Sequence, residues 1–294
     1  MMDTEVARFY TDHPFPDFDL DKYNSPDDLE RQASWYFRIF DLYIPDDAAI
    51  IEIGCGTGQL VNYLAMKPGR RVVGLDFSQA SLSKAAALRD KLGLRNLSFI
   101  HRNISNIGPD VGTFQYTFCN GVLHHMRDTS RAFQLVLRVV EPGGFLTVGY
   151  YNTIARLPLK LARTRIKKSR TYSIHEKHAH LSRFYDVGRF DDSGLDSWFY
   201  DQFQHPLENT VSIAEALKWF SDSGLTYCSS FPPIEGGKEL RNTEQPHLQP
   251  NPFLIAKKNP QKWPFLGHVL TEISWMIRPK NEGGYYSLVG QKIK

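Results

Sequence analysis

Cysteine is scarce, with Cys55, Cys119 and Cys228 the only three in 294 residues. Their spacing fits neither a disulfide framework nor a zinc module, so a reducing compartment is expected. No run reaches the roughly 20 apolar residues that cross a bilayer, and Met1 to Tyr10 lacks the apolar core of a signal peptide. The expected location is therefore cytoplasmic or peripheral. Net charge is small too: 35 Lys+Arg against 32 Asp+Glu leaves +3, short of the basic surplus of a nucleic-acid binder. Repeats and low-complexity tracts are absent, which excludes a solenoid. What is present is an ordinary globular composition, 41% hydrophobic and 23% charged. A chain of this length buries roughly three quarters of its unfolded surface and holds a core without staples.

Along the chain, Phe9 to Phe18 is aromatic and broken by two prolines, which predicts an irregular arm. Asp27 and Asp28 lead into a helical pattern over Leu29 to Tyr43, with Ala33, Tyr36, Phe37 and Phe40 on one side. From Ala48 short apolar strands alternate with helices. Strands are predicted at Ala48–Ile53, Arg71–Leu75, Leu97–Ile100, Phe114–Cys119 and Phe145–Tyr150. Helices are predicted at Gln59–Met66, Ser78–Leu92 and Thr129–Val140. This alternation predicts an α/β fold, a doubly wound parallel sheet with helices on both faces. The rhythm stops at Tyr150 and resumes with a helix from Ile213 to Ser223 and strands at Leu225–Ser230 and Gly284–Gly290. The crossover between, about sixty residues, is far longer than an ordinary connection and reads as a functional cap. The expected organisation is an N-terminal arm and helix (1–46), a ligand-binding core (47–151), an inserted cap (152–211), and a C-terminal part of the sheet with an added helix (212–294).

Glu52-Ile53-Gly54-Cys55-Gly56-Thr57-Gly58 joins the first strand to its helix. Glycines there bring backbone amides close to a ligand, and the helix N-terminus favours negative charge. A dinucleotide fingerprint places its third glycine three positions after the second. Here Gln59 occupies that position and the glycine comes one residue early, which disfavours a nicotinamide oxidoreductase. Asp76 ends the second strand, where a carboxylate can accept both hydroxyls of a ribose.

This run, with Asp76, resembles the S-adenosylmethionine site of class I methyltransferases. Ile100 to Ile104, Cys119 to Met126 and Glu141 to Leu146 resemble the same family, and the likeness covers about residues 48 to 150. The resemblance implies a Rossmann-like sheet of seven strands, the last antiparallel, with S-adenosyl-L-methionine as cofactor and S-adenosyl-L-homocysteine as product. It assigns the cofactor to Glu52, Gly54, Cys55, Gly56, Gly58, Asp76, Phe77, Asn103, Ile104 and Asn120. Asp76 would hold the ribose, Phe77 would lie on the adenine, and Asn103 with Ile104 would frame its edge. Many relatives carry Asp where this chain has Asn103, and an amide keeps the role with altered polarity.

Methyl transfer from a sulfonium is a direct displacement that needs alignment and, for some acceptors, removal of a proton. Asn120, His124 and His125 follow the fourth strand at the sheet edge where ligands bind. The cap segment Trp198 to Glu208 mixes aromatics, carboxylates and His205 in the manner of a small-molecule pocket. It resembles the cap of a bacterial methyltransferase group that shares the Pro-Phe-Pro arm and the turn from Gly149 to Asn152. His205 is placed ahead of His124 as general base. Tyr10, Tyr151, Asn152, Trp198, Tyr200 and Gln202 are the candidate acceptor contacts, with packing roles left open. No metal is assigned, since His175, His178 and His180 lack an accompanying ligand set.

Arg156 to Arg170 carries seven positive charges (Arg156, Lys160, Arg163, Arg165, Lys167, Lys168 and Arg170) and no acid. Interleaved leucines make it an amphipathic element suited to an anionic substrate, a carrier or an anionic surface. The expected reaction is oxygen or nitrogen methylation of a small biosynthetic metabolite, anionic or carrier-linked. The alternatives are tRNA methylation through the basic run and a non-catalytic scaffold. Nucleic acid is the disfavoured partner, and monomer and homodimer both remain open. Trp263 to Met276 reads as an apolar helix, with core packing as its default.

Overall fold

The computed structural model describes residues 4–166, 170–235 and 250–293. Seven strands form one sheet: β1 (Ala49–Ile53), β2 (Arg71–Asp76), β3 (Leu97–His101), β4 (Phe114–Asn120), β5 (Val140–Tyr151), β6 (Leu225–Phe231) and β7 (Tyr285–Lys292). Their order is β3-β2-β1-β4-β5-β7-β6. The first five pair in parallel, while β7 runs antiparallel between β5 and β6. This is the expected fold class, with the strand from Leu225 inside the main sheet at its edge. The order reverses at β1 and β4, where open α/β sheets bind ligands at the carboxyl ends of their strands.

Among the described residues, eleven α-helices surround the sheet: α1 (Thr4–Asp12), α2 (Pro26–Gln32), α3 (Trp35–Tyr43), α4 (Gln59–Leu64), α5 (Gln79–Lys91), α6 (Thr129–Val136), α7 (Leu157–Arg163), α8 (Ile174–Leu181), α9 (Asp192–Gln204), α10 (Ile213–Asp222) and α11 (Phe265–Met276). Four predicted elements differ, one of them β5, which starts at Val140 and not at Phe145. The arm is not irregular throughout, because α1 forms before its prolines. The helix expected from Leu29 to Tyr43 is two helices: Ala33 is extended, and the Ser34 side chain caps α3 by accepting from Phe37 N–H. The helix expected to reach Val140 ends at Val136 and tightens into a 3-10 turn, Leu137–Val139, before β5 begins.

The central strands are apolar and buried almost throughout, because helices cover both faces of the sheet. Phe40 of α3 packs edge-on against Phe118 of β4, ring centroids 5.2 Å apart, and both are fully buried. Burying such a side chain contributes about 1.5–3 kcal/mol, which holds the N-terminal segment against the sheet. The crossover from Asn152 to Val211 builds its own apolar cluster, with Leu159, Leu181, Tyr185, Phe199 and Phe203 at its centre. A parallel bridge between Asn152 and Val211 brings its two ends together beside β5. The crossover therefore returns to the carboxyl ends of the strands, next to the glycine loop.

Candidate functional site

The loop between β1 and α4 folds back over the end of β2. Gly54 N–H and Cys55 N–H both donate to the Leu75 carbonyl, at 2.7 and 3.1 Å. Gly56 has a positive φ of 53°, and a Cβ there would lie 2.2 Å from the Phe15 carbonyl oxygen. Only glycine admits the arm at this distance. Thr57 secures the contact, its hydroxyl donating to the Pro16 carbonyl at 2.6 Å. Gly58, with φ 79°, serves another contact. A Cβ there would meet Ala85 of α5 at 2.6 Å, so this glycine lets two helices approach.

Asp76 is buried at the end of β2 and organises the loop. One carboxylate oxygen accepts from Gly56 N–H at 2.9 Å and the other from Ser78 N–H at 2.8 Å. Burial still raises its pKa above the ordinary carboxylate value against these hydrogen bonds. Glu52, on β1, is pushed up further by burial and by the neighbouring Asp76 charge.

A cavity opens above the loop. Glu52, Gly54, Cys55, Gly56, Asp76, Phe77, Ile104 and Asn120 line its core side, and Tyr10 and Phe15 of the arm face them. Two wall groups are buried without a hydrogen-bond partner among the described residues, Glu52 Oε2 and Asn120 Nδ2. The Asn120 amide oxygen accepts from the hydroxyls of Tyr36 and Tyr285, which fixes the orientation of the amide. A buried acceptor and a buried donor left open in one wall suit a zwitterionic ligand group. Asn103 departs from expectation: it does not line the cavity, and its side-chain oxygen accepts from Ser105 N–H at 2.8 Å to cap its own turn.

His125 also lines this cavity and is buried. Its Nδ1 lies 2.8 Å from the Leu207 carbonyl, which requires the proton on Nδ1 and leaves Nε2 with the lone pair. Nε2 has no partner among the described residues. Burial lowers its pKa from the ordinary imidazole value, partly offset by Asp201. His205 packs against His125 and also meets the rings of Phe9 and Tyr10, at 4.9 and 5.3 Å. Its Nδ1 accepts from Leu207 N–H at 3.2 Å. Asp201 completes the group, accepting from the Tyr10 hydroxyl at 2.9 Å and from the Gln202 amide at 2.7 Å. His125, Asp201 and His205 each offer an atom within 4.8 Å of the others, a set that could hold a metal ion. His124 lies one layer back, outside the cavity lining, fully buried between the rings of His125 and Tyr151. Burial takes its pKa well below the ordinary value.

The basic run is not one outward face. Arg156, its first member, is fully buried. Its guanidinium bonds both oxygens of Glu208, at 3.1 and 2.6 Å, the Gln202 amide oxygen at 2.9 Å and the Gly283 carbonyl at 2.8 Å. Arg163 also pairs with Glu208, at 2.9 Å, and donates to the His205 carbonyl. Arg170 pairs with Glu176. Arg156 and Arg163 fasten the cap through Glu208, because a buried carboxylate needs charged partners, whereas the Arg170 pair is exposed. Lys167 and Lys168 lie outside the described residues.

Of the acceptor contacts expected from sequence, Tyr10 reaches the cavity. Gln202 stands behind Asp201 and donates to the Tyr151 hydroxyl at 2.6 Å, while Tyr151 lies under the Arg156 guanidinium. Asn152 caps its own turn, accepting from the Ile154 and Ala155 amides. Trp198 packs against Phe15, and Tyr200 stacks on His13 at 4.4 Å, so both join cap to arm. Sequence reasoning does not single out Asp201 or the Arg156–Glu208 pair. One signal is present, since Asp201 and His205 are four residues apart and share one helical face.

A family model described as a methyltransferase domain matches residues 44–207. Among curated relatives, a trans-aconitate 2-methyltransferase of Rhodopseudomonas palustris is 26% identical over 217 residues, 71% of this chain and 80% of that protein. A demethylmenaquinone methyltransferase of Bacillus cereus is 31% identical over 132 residues, 42% of this chain and 55% of that protein. An uncharacterised Synechococcus protein is 24% identical over 196 residues, and the match spans 60% of this chain but only 47% of that longer protein. Among solved structures, PKMT2 from Rickettsia typhi has a TM-score of 0.56 at 16% identity, covering 88% of this chain and 52% of that one. The N-methyltransferase NodS of Bradyrhizobium japonicum, in complex with S-adenosyl-L-homocysteine, has a TM-score of 0.50 at 12% identity over 99% of this chain and 100% of that one.

Proposed function

Because the chain belongs to the methyltransferase domain family, we propose that it transfers a methyl group from S-adenosylmethionine to an oxygen or nitrogen of a small metabolite, with His125 as general base. The observation that carries this reading is the His125 Nε2 lone pair, unpartnered among the described residues, in a ring that lines the cavity above the glycine loop.

S-adenosylmethionine, when bound, supplies an electrophilic methyl carbon on a sulfonium. The residues present fit it. Asp76 keeps lone pairs for the ribose hydroxyls beyond the two amides it already serves. Phe77 and Ile104 offer apolar surface to the adenine, and Glu52 Oε2 and Asn120 Nδ2 would receive the amino and carboxylate groups. His125 would take the proton from the acceptor O–H or N–H while the acceptor lone pair displaces sulfur from the methyl carbon, with S-adenosylhomocysteine as the leaving group. The Leu207 carbonyl holds the required tautomer, and Asp201 stabilises the imidazolium that results. Tyr10, bonded to Asp201, closes the arm over the site and excludes water.

A metabolite-sized acceptor is supported by the relative named for trans-aconitate. Incubation with S-adenosylmethionine labelled in the methyl group and a cell extract tests the reading. A labelled small organic product supports it. Labelled RNA, or calorimetry showing tight NAD binding with no response to S-adenosylhomocysteine, would overturn it.

A further inference from the structure

Helix α11 is turned the wrong way round for a helix facing water. Its buried residues are His268, Glu272 and Trp275, and its exposed ones include Phe265, Leu266, Leu270, Ile273 and Ile277, up to 72% exposed. Leu266, Leu270, Ile273 and Ile277 follow an i, i+4, i+7, i+11 spacing, a straight apolar stripe down one face. Two polar side chains on the inner face are held by the core: Glu272 accepts from Ile213 N–H at 2.6 Å and His268 Nε2 bonds the Pro260 carbonyl at 2.9 Å. Even the outward hydroxyls turn inward, Thr271 donating to the Gly267 carbonyl and Ser274 to the Thr271 carbonyl. A helix whose exposed face is apolar, with its hydroxyls satisfied internally, is suited to an apolar medium.

The surroundings identify that medium. Between Leu254 and Lys280 the chain carries Lys257, Lys258, Lys262, Arg278 and Lys280, and its single acid, Glu272, is buried. Leu254 and Ile255 are exposed beside the first two lysines. Asn281 donates to the carbonyls of both Ala155 and Trp275, tying the end of α11 to the start of α7, which adds the exposed Leu157 and Leu161. We propose that α11 is a docking helix that seats the protein on an anionic lipid bilayer surface. The apolar stripe would enter the headgroup boundary and the lysines would meet the lipid phosphates. Lys280 pairs with Asp186 at 3.4 Å, which leaves Lys257, Lys258 and Lys262 as the exposed rim; a twofold contact with a second copy is disfavoured, since it would bring these lysines of both copies together. The inference rests on α11 and its neighbours and is independent of the methyl acceptor.

Co-sedimentation with vesicles tests it. The full chain is expected to sediment with phosphatidylcholine vesicles containing phosphatidylglycerol, weakly with phosphatidylcholine alone, and to be released by high salt. Leu266→Glu/Leu270→Glu/Ile277→Glu and Lys257→Glu/Lys258→Glu/Lys262→Glu should each lower partitioning by on the order of a hundredfold. Circular dichroism and the melting temperature should stay near wild type, because these side chains are exposed. Wild type remaining in solution with anionic vesicles at low salt would overturn the proposal, as would unchanged binding by both variants. A wild-type dimer that the apolar triple variant dissociates, without vesicle binding, would assign the face to a second copy and overturn it as well.

Discussion

The imidazoles of His125 and His205 lie 3.7 Å apart, centroid to centroid, with their planes tilted by 31°. One comes from the loop after β4 and the other from the end of α9 in the cap. Leu207 serves both, its carbonyl accepting from His125 and its amide donating to His205. The pair therefore forms only when the cap sits on the core.

His125→Gln should reduce turnover by about 10²- to 10⁴-fold, the usual range for loss of a general base. Affinity for S-adenosylhomocysteine should change little, as measured by calorimetry. His205→Gln should cost less, because its ring stands behind His125. Equal losses in both variants would make the pair, and not His125 alone, the functional unit. Turnover that falls on chelation and returns with a divalent ion would assign the cluster to metal binding.

Burial depresses the pKa of both His124 and His125. The base form of His125 should persist below the ordinary imidazole value of about 6.5, so kcat/KM should stay level through neutral pH and fall only in acid. Stability follows the same sign. The unfolded chain binds protons on these rings before the native state does, so stability should fall as pH drops from about 6.5 towards the depressed values. Urea midpoints across this window check it; a midpoint rising on acidification would contradict the assignment.

Asp76→Asn should weaken S-adenosylhomocysteine binding by about 1.5–3 kcal/mol, the cost of a hydrogen bond to a charged group. The melting temperature should fall as well, because the Asn amide accepts from only one of Gly56 N–H and Ser78 N–H and leaves the other unpaired. Calorimetry and a thermal melt separate the two effects.

Gly56→Ala should dislodge the arm. The new Cβ would meet the Phe15 carbonyl at 2.2 Å, and φ 53° strains any L side chain. Limited proteolysis should then cut within the first eighteen residues at least several-fold faster, with weaker cofactor binding. Protection equal to wild type would show that the arm holds by its other contacts.

Arg156→Met should destabilise the fold by about 3–5 kcal/mol, because it leaves Glu208 buried with Arg163 alone. Adding Glu208→Leu removes the stranded carboxylate and should recover part of the loss. Chemical denaturation of the single and double variants measures the difference; no recovery would mean that the hydrogen bonds to Gln202 and Gly283 dominate.

The sheet and its ligand-binding edge are legible in the chain before it folds. Short apolar strands, glycines 54, 56 and 58, and Asp76 at a strand end are local signals, each set by neighbours close in sequence. Ser34 carries a local signal of the same kind, masked by the continuous apolar side that suggests one helix from Leu29 to Tyr43. The charges and imidazoles are different, because long-range packing arranges them. Arg156 looks like the start of a solvated basic run until Glu208, 52 residues on, meets it in the interior. His125 differs from His124 only by which way a single turn points each ring, and that turn is held by Asn209 N–H donating to the His124 carbonyl at 2.7 Å. Burial and pairing depend on contacts between distant segments, so residue type and spacing alone place these groups near the site without deciding which one faces the cavity.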